Sequence, residues 1–397
     1  MSTVSGKRTV GVVFGSRSVE HDVSIVTAQQ VMQAMRPEKY EVVPIYITRD
    51  GRWVTGAALR DLKSFQNDNI SEMIGIKDTM ISPSVSHHGF ITPPVSGLFS
   101  RSQLRRLDVV FPVMHGTHGE DGTLQGLLEL ADIPYVGAGV MASAVTRDKI
   151  MLKAVLSHYG IPVVKHLWFS RHDWLINPTP ILDRIGAEVG YPVFIKPASL
   201  GSSIGVALAN NAEETRNYIT IAANFDRRIL VEAAVQGAIE INCALMGNYD
   251  IRASVLEQPI SWQEYLTYEE KYMRSEGPAG MKGAERKIPA PISPELTERI
   301  RQMAVDAFKA VDGRGTARVD FLVREEAGEV FLNEINTLPG SMAFYLWQAE
   351  GMSPSDVVDE LIRLALDAHT EKRKTVYNYK TGLIAHAAAR GLKGIKK

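Results

Sequence analysis

Gly315-Thr-Ala-Arg-Val-Asp320 and, after a polar turn, Phe331-Leu-Asn-Glu-Ile-Asn-Thr-Leu-Pro-Gly340 say more about the architecture than any other residues in the chain. Two runs rich in Val, Phe and Leu flank Glu325-Glu-Ala-Gly328, the pattern of a β-hairpin. Side chains two apart on a strand share a face, so Arg318 and Asp320 point together, as do Glu334 and Asn336. If the turn sets Asp320 beside Glu334, three oxygen-bearing side chains and one guanidinium meet on one patch. Adjacent carboxylates repel by about a few kcal/mol at moderate effective dielectric, so a cation belongs between them. An oxygen-only set without His or Cys suits Mg²⁺, which takes one or two carboxylates and then phosphate oxygens.

The chain around this hairpin has 397 residues, too many for one ordinary core, and two or three domains are expected. Apolar residues make up 45% and the formal charge is −1, which fits a soluble globular protein without a global field for nucleic acid or anionic membrane. The single cysteine, Cys243, excludes an intrachain disulfide and a Cys-based zinc site; its strand-like surroundings predict simple burial. A strand at Thr9–Phe14 begins the pattern with no apolar leader, no run is long enough to span a membrane, and the expected location is the cytoplasm.

Strand 9–14, the turn Gly15–Glu20, a helix from Asp22 to Met35 and strands at Tyr40–Ile47 and Leu107–Val113 follow βαβ grammar, which predicts a parallel sheet. Residues 54–106, with Pro83, Pro93 and Pro94, read as an irregular insertion. A helix at Gly122–Ala131 and a short strand at Pro134–Val136 close the first unit. The divisions expected are 1–140, 141–229, 230–370 and a basic tail, 371–397, with eight Lys/Arg and one acid. The tail reads as a solvated appendage or a contact for a partner.

Two loops stand out. Lys196-Pro-Ala-Ser-Leu-Gly-Ser-Ser-Ile-Gly205 follows a strand; its small residues let backbone N–H groups wrap a phosphate, and Lys196 supplies a point charge. It is not a Walker loop, since no Gly-Lys-Ser/Thr ends it, and a plain flexible hairpin reads equally well. His115-Gly-Thr-His-Gly-Glu-Asp-Gly-Thr-Leu-Gln-Gly126 lies at the carboxyl end of the third parallel strand, where open α/β sheets bind ligands. Glu20 ends the first βα turn on the same edge, where helix capping is its ordinary use.

Seven blocks, in order, resemble the D-alanine–D-alanine ligases of the ATP-grasp superfamily, from Val10 to Ala368. They are Val19-Glu-His-Asp-Val-Ser24, the His115–Gly126 stretch, Asp148-Lys149, the Lys196–Gly205 loop, Glu269-Glu-Lys-Tyr272, Arg318-Val-Asp320 and Asn333–Gly340. The fold this implies is α/β and α+β: an ATP-grasp fold behind an N-terminal parallel-sheet domain. By resemblance, Lys149, Lys196 and Ser203 bind ATP phosphates with Lys271 assisting, and Glu232 and Glu240 contact adenine and ribose. Asp320, Glu334 and Asn336 hold two Mg²⁺ ions, with Mn²⁺ as a substitute. Glu20 receives the ammonium of the first D-alanine, supported by Ser202, Tyr272 and His115. Arg318 and the Gly340 backbone face the developing oxyanion, and Ser341 the second carboxylate. Trp262–Gly283, bounded by Gly277, Gly280 and Gly283, reads as a lid or as an ordinary mobile loop.

The implied reaction joins two D-alanines through an acyl phosphate for peptidoglycan precursors. Tyr272 stands where lactate-using relatives carry histidine, which favours an amine acceptor. The chain departs from the family after Gly340, passing directly into Ser341-Met-Ala-Phe-Tyr-Leu-Trp347 where relatives have about four more residues. Two rivals remain at this stage: a ligase for another small amino or hydroxy acid, such as D-serine or D-lactate, and a non-catalytic nucleotide-binding regulator. Relatives are commonly homodimers; no nucleic-acid partner is expected.

Overall fold

The computed structural model describes residues 6–66, 69–93, 101–201, 204–260 and 286–390. Three larger sheets and one small one organise them. In the first, β1 (Arg8–Gly15) lies between β2 (Tyr40–Ile47) and β8 (Val109–Pro112), parallel to both. Val10, Val12, Val13 and Phe14 are fully buried, because helices cover both faces of a parallel sheet and its centre reads as a continuous apolar run. Helix α1 (His21–Ala34) follows the turn after β1 and buries Val23, Ile25, Ala28, Val31 and Met32. Val26 on the same helix is only partly covered.

The 54–106 segment is more ordered than its sequence predicts. Strand β3 (Trp53–Thr55) pairs antiparallel with β2 and β4 (Lys77–Asp78) antiparallel with β3, giving the order β4-β3-β2-β1-β8. Strands β5 (Met80–Ile81), β6 (Gly89–Thr92) and β7 (Gln103–Arg106) form a small antiparallel sheet. Pieces of two to four residues are too short to display a period of two, which is why the pattern hid them.

The second sheet has the order β11-β10-β12-β9: β9 is His166–Ser170, β10 Val193–Pro197, β11 Ala207–Ala209 and β12 Arg228–Ala233. Strand β12 pairs with both β10 and β9, so this sheet runs past residue 229, where the sequence reading places its end. The third sheet, β15-β14-β13-β16-β17, is antiparallel and carries the hairpin. Its strands are β13 (Ile239–Gly247), β14 (Arg252–Pro259), β15 (Arg286–Lys287), β16 (Gly315–Arg324) and β17 (Glu329–Asn336).

Helix Pro294–Ala310 packs Ile300, Ala304 and Phe308 on one face of the third sheet, in a core shared with Leu152 and Leu156. Those two leucines belong to helix Lys149–His158. Helix Pro354–Lys372, opened by a reciprocal Ser353–Asp356 cap worth about 1 kcal/mol, runs four residues beyond Ala368 and shares a core with α1 and β1. The first and third sheets are therefore joined by continuous apolar packing. Part of the tail, Leu383–Arg390, is helical; residues 391–397 lie outside the described set. Among the described residues no helix is long and apolar enough to cross a membrane.

Candidate active site

Hairpin register places the charged groups. Arg318 lies opposite Asn336 and Asp320 opposite Glu334, and a bulge after Asp320 leaves Asn333 unpaired before Phe321 meets Leu332. Arg318 grips Asp320 with both ends of its fork, Nε to Oδ1 and Nη2 to Oδ2, each at 2.6 Å. The Asn336 amide donates to Asp320 Oδ2 at 3.0 Å and to Glu334 Oε1 at 3.3 Å. Asp320 is 1% exposed, and burial pushes its carboxyl up to about 7 against the pull of Arg318, with Glu334 adding to the rise. Burial works against the Arg318 charge, but Asp320 outweighs it and holds the guanidinium well above its ordinary value. Among the described residues no three His, Cys, Asp or Glu side chains are grouped to hold a metal ion; the patch offers two carboxylates and an amide oxygen.

Lysines approach the same patch from the second sheet. Asp148 caps helix α4 (Lys149–His158), accepting from the Ile150 and Met151 N–H groups; α4 follows α3 (Val140–Arg147), with α2 (Thr123–Leu130) before it. Lys149 at the start of α4 donates to the Leu200 carbonyl, and burial pulls its ammonium down to about 8 with Glu334 opposing. Lys196 reaches Glu232 Oε2 at 2.5 Å and Asn333 Oδ1 at 3.4 Å. One helical turn beyond Lys149, Lys153 takes the other Glu232 oxygen at 2.7 Å. Burial alone would raise the Glu232 carboxyl, but two ammonium groups together hold it far below the usual carboxylate range. Glu232, expected at adenine, thus meets both lysines, while Glu240 sits partly covered at the start of β13.

The other end of the cleft is built by the first domain. Arg147 bridges Glu20 (3.4 Å) and Glu120 (3.5 Å). Glu120 also accepts from the Gly116 N–H at 2.7 Å and the Leu338 N–H at 3.3 Å, tying the His115–Gly126 loop to the end of the hairpin. Burial raises Glu120 to about 7, with Arg147 opposing and Glu20 adding. Gly116 has φ +77, and a Cβ there would lie 2.4 Å from both Glu20 Oε2 and Ser18 Oγ, so the backbone must approach Glu20 without a side chain. Thr27 of α1 joins His115 Nε2 (3.2 Å) to the Ser341 N–H (3.3 Å). Burial lowers His115 to about 4, which keeps its imidazole neutral.

A cleft open to solvent is lined by Glu120, Arg147, Lys149, Glu334 and Asn336. An acidic patch with an arginine, a pair of lysines and a further carboxylate–arginine cluster along one cleft is an arrangement for a zwitterion beside a polyphosphate. Profiles of the two halves of one family fit the chain: the D-ala D-ala ligase N-terminus at residues 9–138 and the D-ala D-ala ligase C-terminus at residues 155–363.

The chain belongs to the D-alanine–D-alanine ligase family.

Relatives of this family match nearly end to end. The D-alanine–D-alanine ligase of Geobacillus thermodenitrificans is 38% identical over 377 residues, 94% of this chain and 99% of that protein. The solved D-alanine–D-alanine ligase of Coxiella burnetii is 31% identical with a TM-score of 0.77, covering 97% of this chain and all of its own (100%). The VanG D-Ala:D-Ser ligase of Enterococcus faecalis is also 31% identical, with a TM-score of 0.78 over 91% of this chain and 100% of that one. The fold is the ATP-grasp fold of these ligases.

Within that family fold, the structure brings together Glu20 and Arg147, and Arg318, Asp320, Glu334 and Asn336. Ser202, Ser203, Lys271, Tyr272 and the Trp262–Gly283 stretch lie outside the described residues. Sequence reading does not single out Arg147, Lys153, Thr27 or the role of Glu120. Lys153 carries a signal: a lysine four residues after Lys149 falls on the same helix face. After Gly340, Ser341, Met342 and Ala343 all have φ near +50 (50, 48 and 50). Three successive non-glycine residues in the left-handed region cost about 1–2 kcal/mol each, and this run turns the chain into helix Phe344–Ala349.

Proposed function

We propose that this chain is an ADP-forming ligase that joins two D-alanines into D-alanyl-D-alanine, a cytoplasmic step toward peptidoglycan. The observation that carries the proposal is one cleft lined by Glu120, Arg147, Lys149, Glu334 and Asn336, with Glu20 held against Arg147 and Asp320 held by Arg318 and Asn336 directly behind these linings.

ATP is a substrate here. Lys149 and Lys196, with Ser203 and Lys271 from outside the described residues, would face its phosphates. For Lys196 this requires exchange of Glu232 or Asn333 for phosphate oxygen. The donor set on the hairpin is all oxygen, with two carboxylates and one amide, which fits Mg²⁺. Asp320, Glu334 and Asn336 would hold two such ions, and Mn²⁺ would serve in their place. When bound, they neutralise phosphate charge that otherwise repels an anionic nucleophile.

Glu20 receives the ammonium of the first D-alanine, with Ser202, Tyr272 and His115 supporting it, and so aims its carboxylate along the cleft. That carboxylate attacks the γ-phosphorus, forming an acyl phosphate and releasing ADP. The amine of the second D-alanine then attacks the acyl carbon and phosphate departs. Arg318 and the Gly340 N–H face the oxygen that gains charge in this step. Neutral His115 keeps a net charge away from the first ammonium. A second reading, a ligase whose acceptor is another small amino or hydroxy acid, is favoured by the left-handed run at Ser341–Ala343, where Ser341 was expected to meet the second carboxylate.

Incubation with ATP, Mg²⁺ and a panel of D- and L-amino and hydroxy acids tests both, with ADP followed by a coupled assay and the product by mass spectrometry. ADP release that depends on D-alanine, with a mass of the dipeptide, is the expected result. Release independent of D-alanine overturns the first reading, and a mixed product establishes the second.

A further inference from the structure

Five carboxylates are buried among the described residues: Glu20, Glu120, Glu232, Glu257 and Asp320. Four have evident employment. Glu20 and Glu120 share Arg147, Glu232 has a lysine against each oxygen, and Asp320 is gripped by Arg318. Glu257 differs. Its Oε1 accepts from the Asn242 amide at 3.3 Å and from the Tyr345 hydroxyl; its Oε2 is buried with no hydrogen-bond partner among the described residues and, unlike Glu232 Oε1 with Lys153 at 2.7 Å, has no cation in close contact. The nearest cation, Arg286 Nη1, stands 3.6 Å from that oxygen, and its guanidinium lies flat 4.0 Å over the Tyr345 ring. A buried carboxylate oxygen without a donor is expensive, and native proteins keep such groups where a ligand completes them.

Its position is fixed by strand register. Glu257 of β14 pairs with Asn242 of β13, Asn242 with Asp320 of β16, and Asp320 with Glu334 of β17. Directly paired residues share a face, so these four form one row across the sheet. Glu257 therefore lies on the catalytic face, two strands from Asp320 on the side opposite Glu334. Tyr345 comes from the helix that directly follows the shortened Gly340–Ala343 segment, so the departure from the family and this carboxylate meet at the same place.

We infer that Glu257 receives the ammonium of the second amino acid through Oε2 and takes one proton from it. The inference rests on the ligase reading above and names the acceptor's side of that site. Each zwitterionic substrate needs an anion for its ammonium; Glu20 serves the first and Glu257 the second. One ammonium proton passes to Glu257, and the freed nitrogen pair forms the C–N bond. The bond from the acyl carbon to the phosphate oxygen breaks toward phosphate, which carries away the second N–H proton.

The test is Glu257→Gln, assayed with D-alanine as donor and with D-alanine and D-lactate competing as acceptors. Losing a hydrogen bond to a charged group costs about ten- to a hundred-fold in binding. KM for the second D-alanine should therefore rise at least that lower figure while KM for the first stays within about a factor of two. D-lactate has no ammonium to lose, so the ratio of ester to peptide product should rise by about ten-fold or more. Equal shifts in both KM values, or an unchanged ratio, overturn the inference. If Glu257→Gln fails to fold by circular dichroism, Glu257→Asp withdraws the carboxylate by one methylene and should move the same ratio in the same direction; no movement again refutes it. Failure of the ligase reading looks different, because wild-type protein would then make no D-alanine-dependent ADP.

Discussion

Replacing Glu232 by Gln tests how the lysine side of the cleft is held together. Lys153 is 1% exposed and Glu232 2%, so neither has water to fall back on. Lys196 has somewhere to go: its side chain is 13% exposed and already lies 3.4 Å from Asn333 Oδ1. The variant strands one ammonium, not two. Breaking a buried pair by removing one partner costs about 3–5 kcal/mol. An independent bound agrees, since a lysine forced neutral at pH 7 costs at most about 1.4 kcal/mol for each of some 3.4 units below its usual value, or about 4.6 kcal/mol. Native-state hydrogen exchange of the β10 and β12 amides reads this locally and should show a loss of about 3–5 kcal/mol of protection. Sign follows from linkage. The folded variant excludes a proton that the unfolded chain binds, so its stability climbs with pH and the deficit shrinks by about 1.4 kcal/mol per unit between pH 7 and 9. In the wild type, Glu232 is held below the acid range, so its contribution is present above the unfolded carboxyl value and is lost only as pH falls beneath it. Adding Lys153→Met to the variant should restore most of the protection. A single-variant loss under about 1 kcal/mol, or no pH dependence, would refute the reasoning.

Gly116→Ala puts a Cβ 2.4 Å from Glu20 Oε2; displacing that carboxylate should raise KM for the first D-alanine by about ten-fold or more, read by a two-site kinetic fit. Arg318→Ala removes an oxyanion donor worth about 3–4 kcal/mol and should leave well under a tenth of the rate with the fold intact, and Arg318→Lys should recover little because the two-toothed grip on Asp320 is lost. His115, lowered to about 4 by burial, contributes stability that is present above its unfolded value and lost as pH falls toward 4. The advantage of wild type over His115→Gln should therefore narrow by about 2.5 kcal/mol between pH 7 and 4.5 in urea titrations.

The hairpin was legible because its information is local: a period of two, a polar turn and one register put Asp320 against Glu334. The parallel order of β1, β2 and β8 followed in the same way from βαβ grammar. What stayed hidden is what depends on distant pairing. Arg147 meets Glu20 across 127 positions, and no pattern near either residue announces the other. Strand β12 reads as a strand from its Ile, Leu and Val, yet those residues carry no mark of which sheet it joins. Lys153 looked like one more helix lysine until β12 brought Glu232 over it. The conformation of Ser341–Ala343 was hidden as well, because a left-handed run of non-glycine residues has no propensity signal.

Crystals grown with Mn²⁺ and ADP, with the metal located by its anomalous scattering, examine the hairpin most directly. The account predicts manganese bound by Asp320, Glu334 and Asn336, with Arg318 turned from Asp320 toward the phosphate side. Manganese found away from these three residues, or Asp320 still sealed by Arg318 with nucleotide in place, would contradict it.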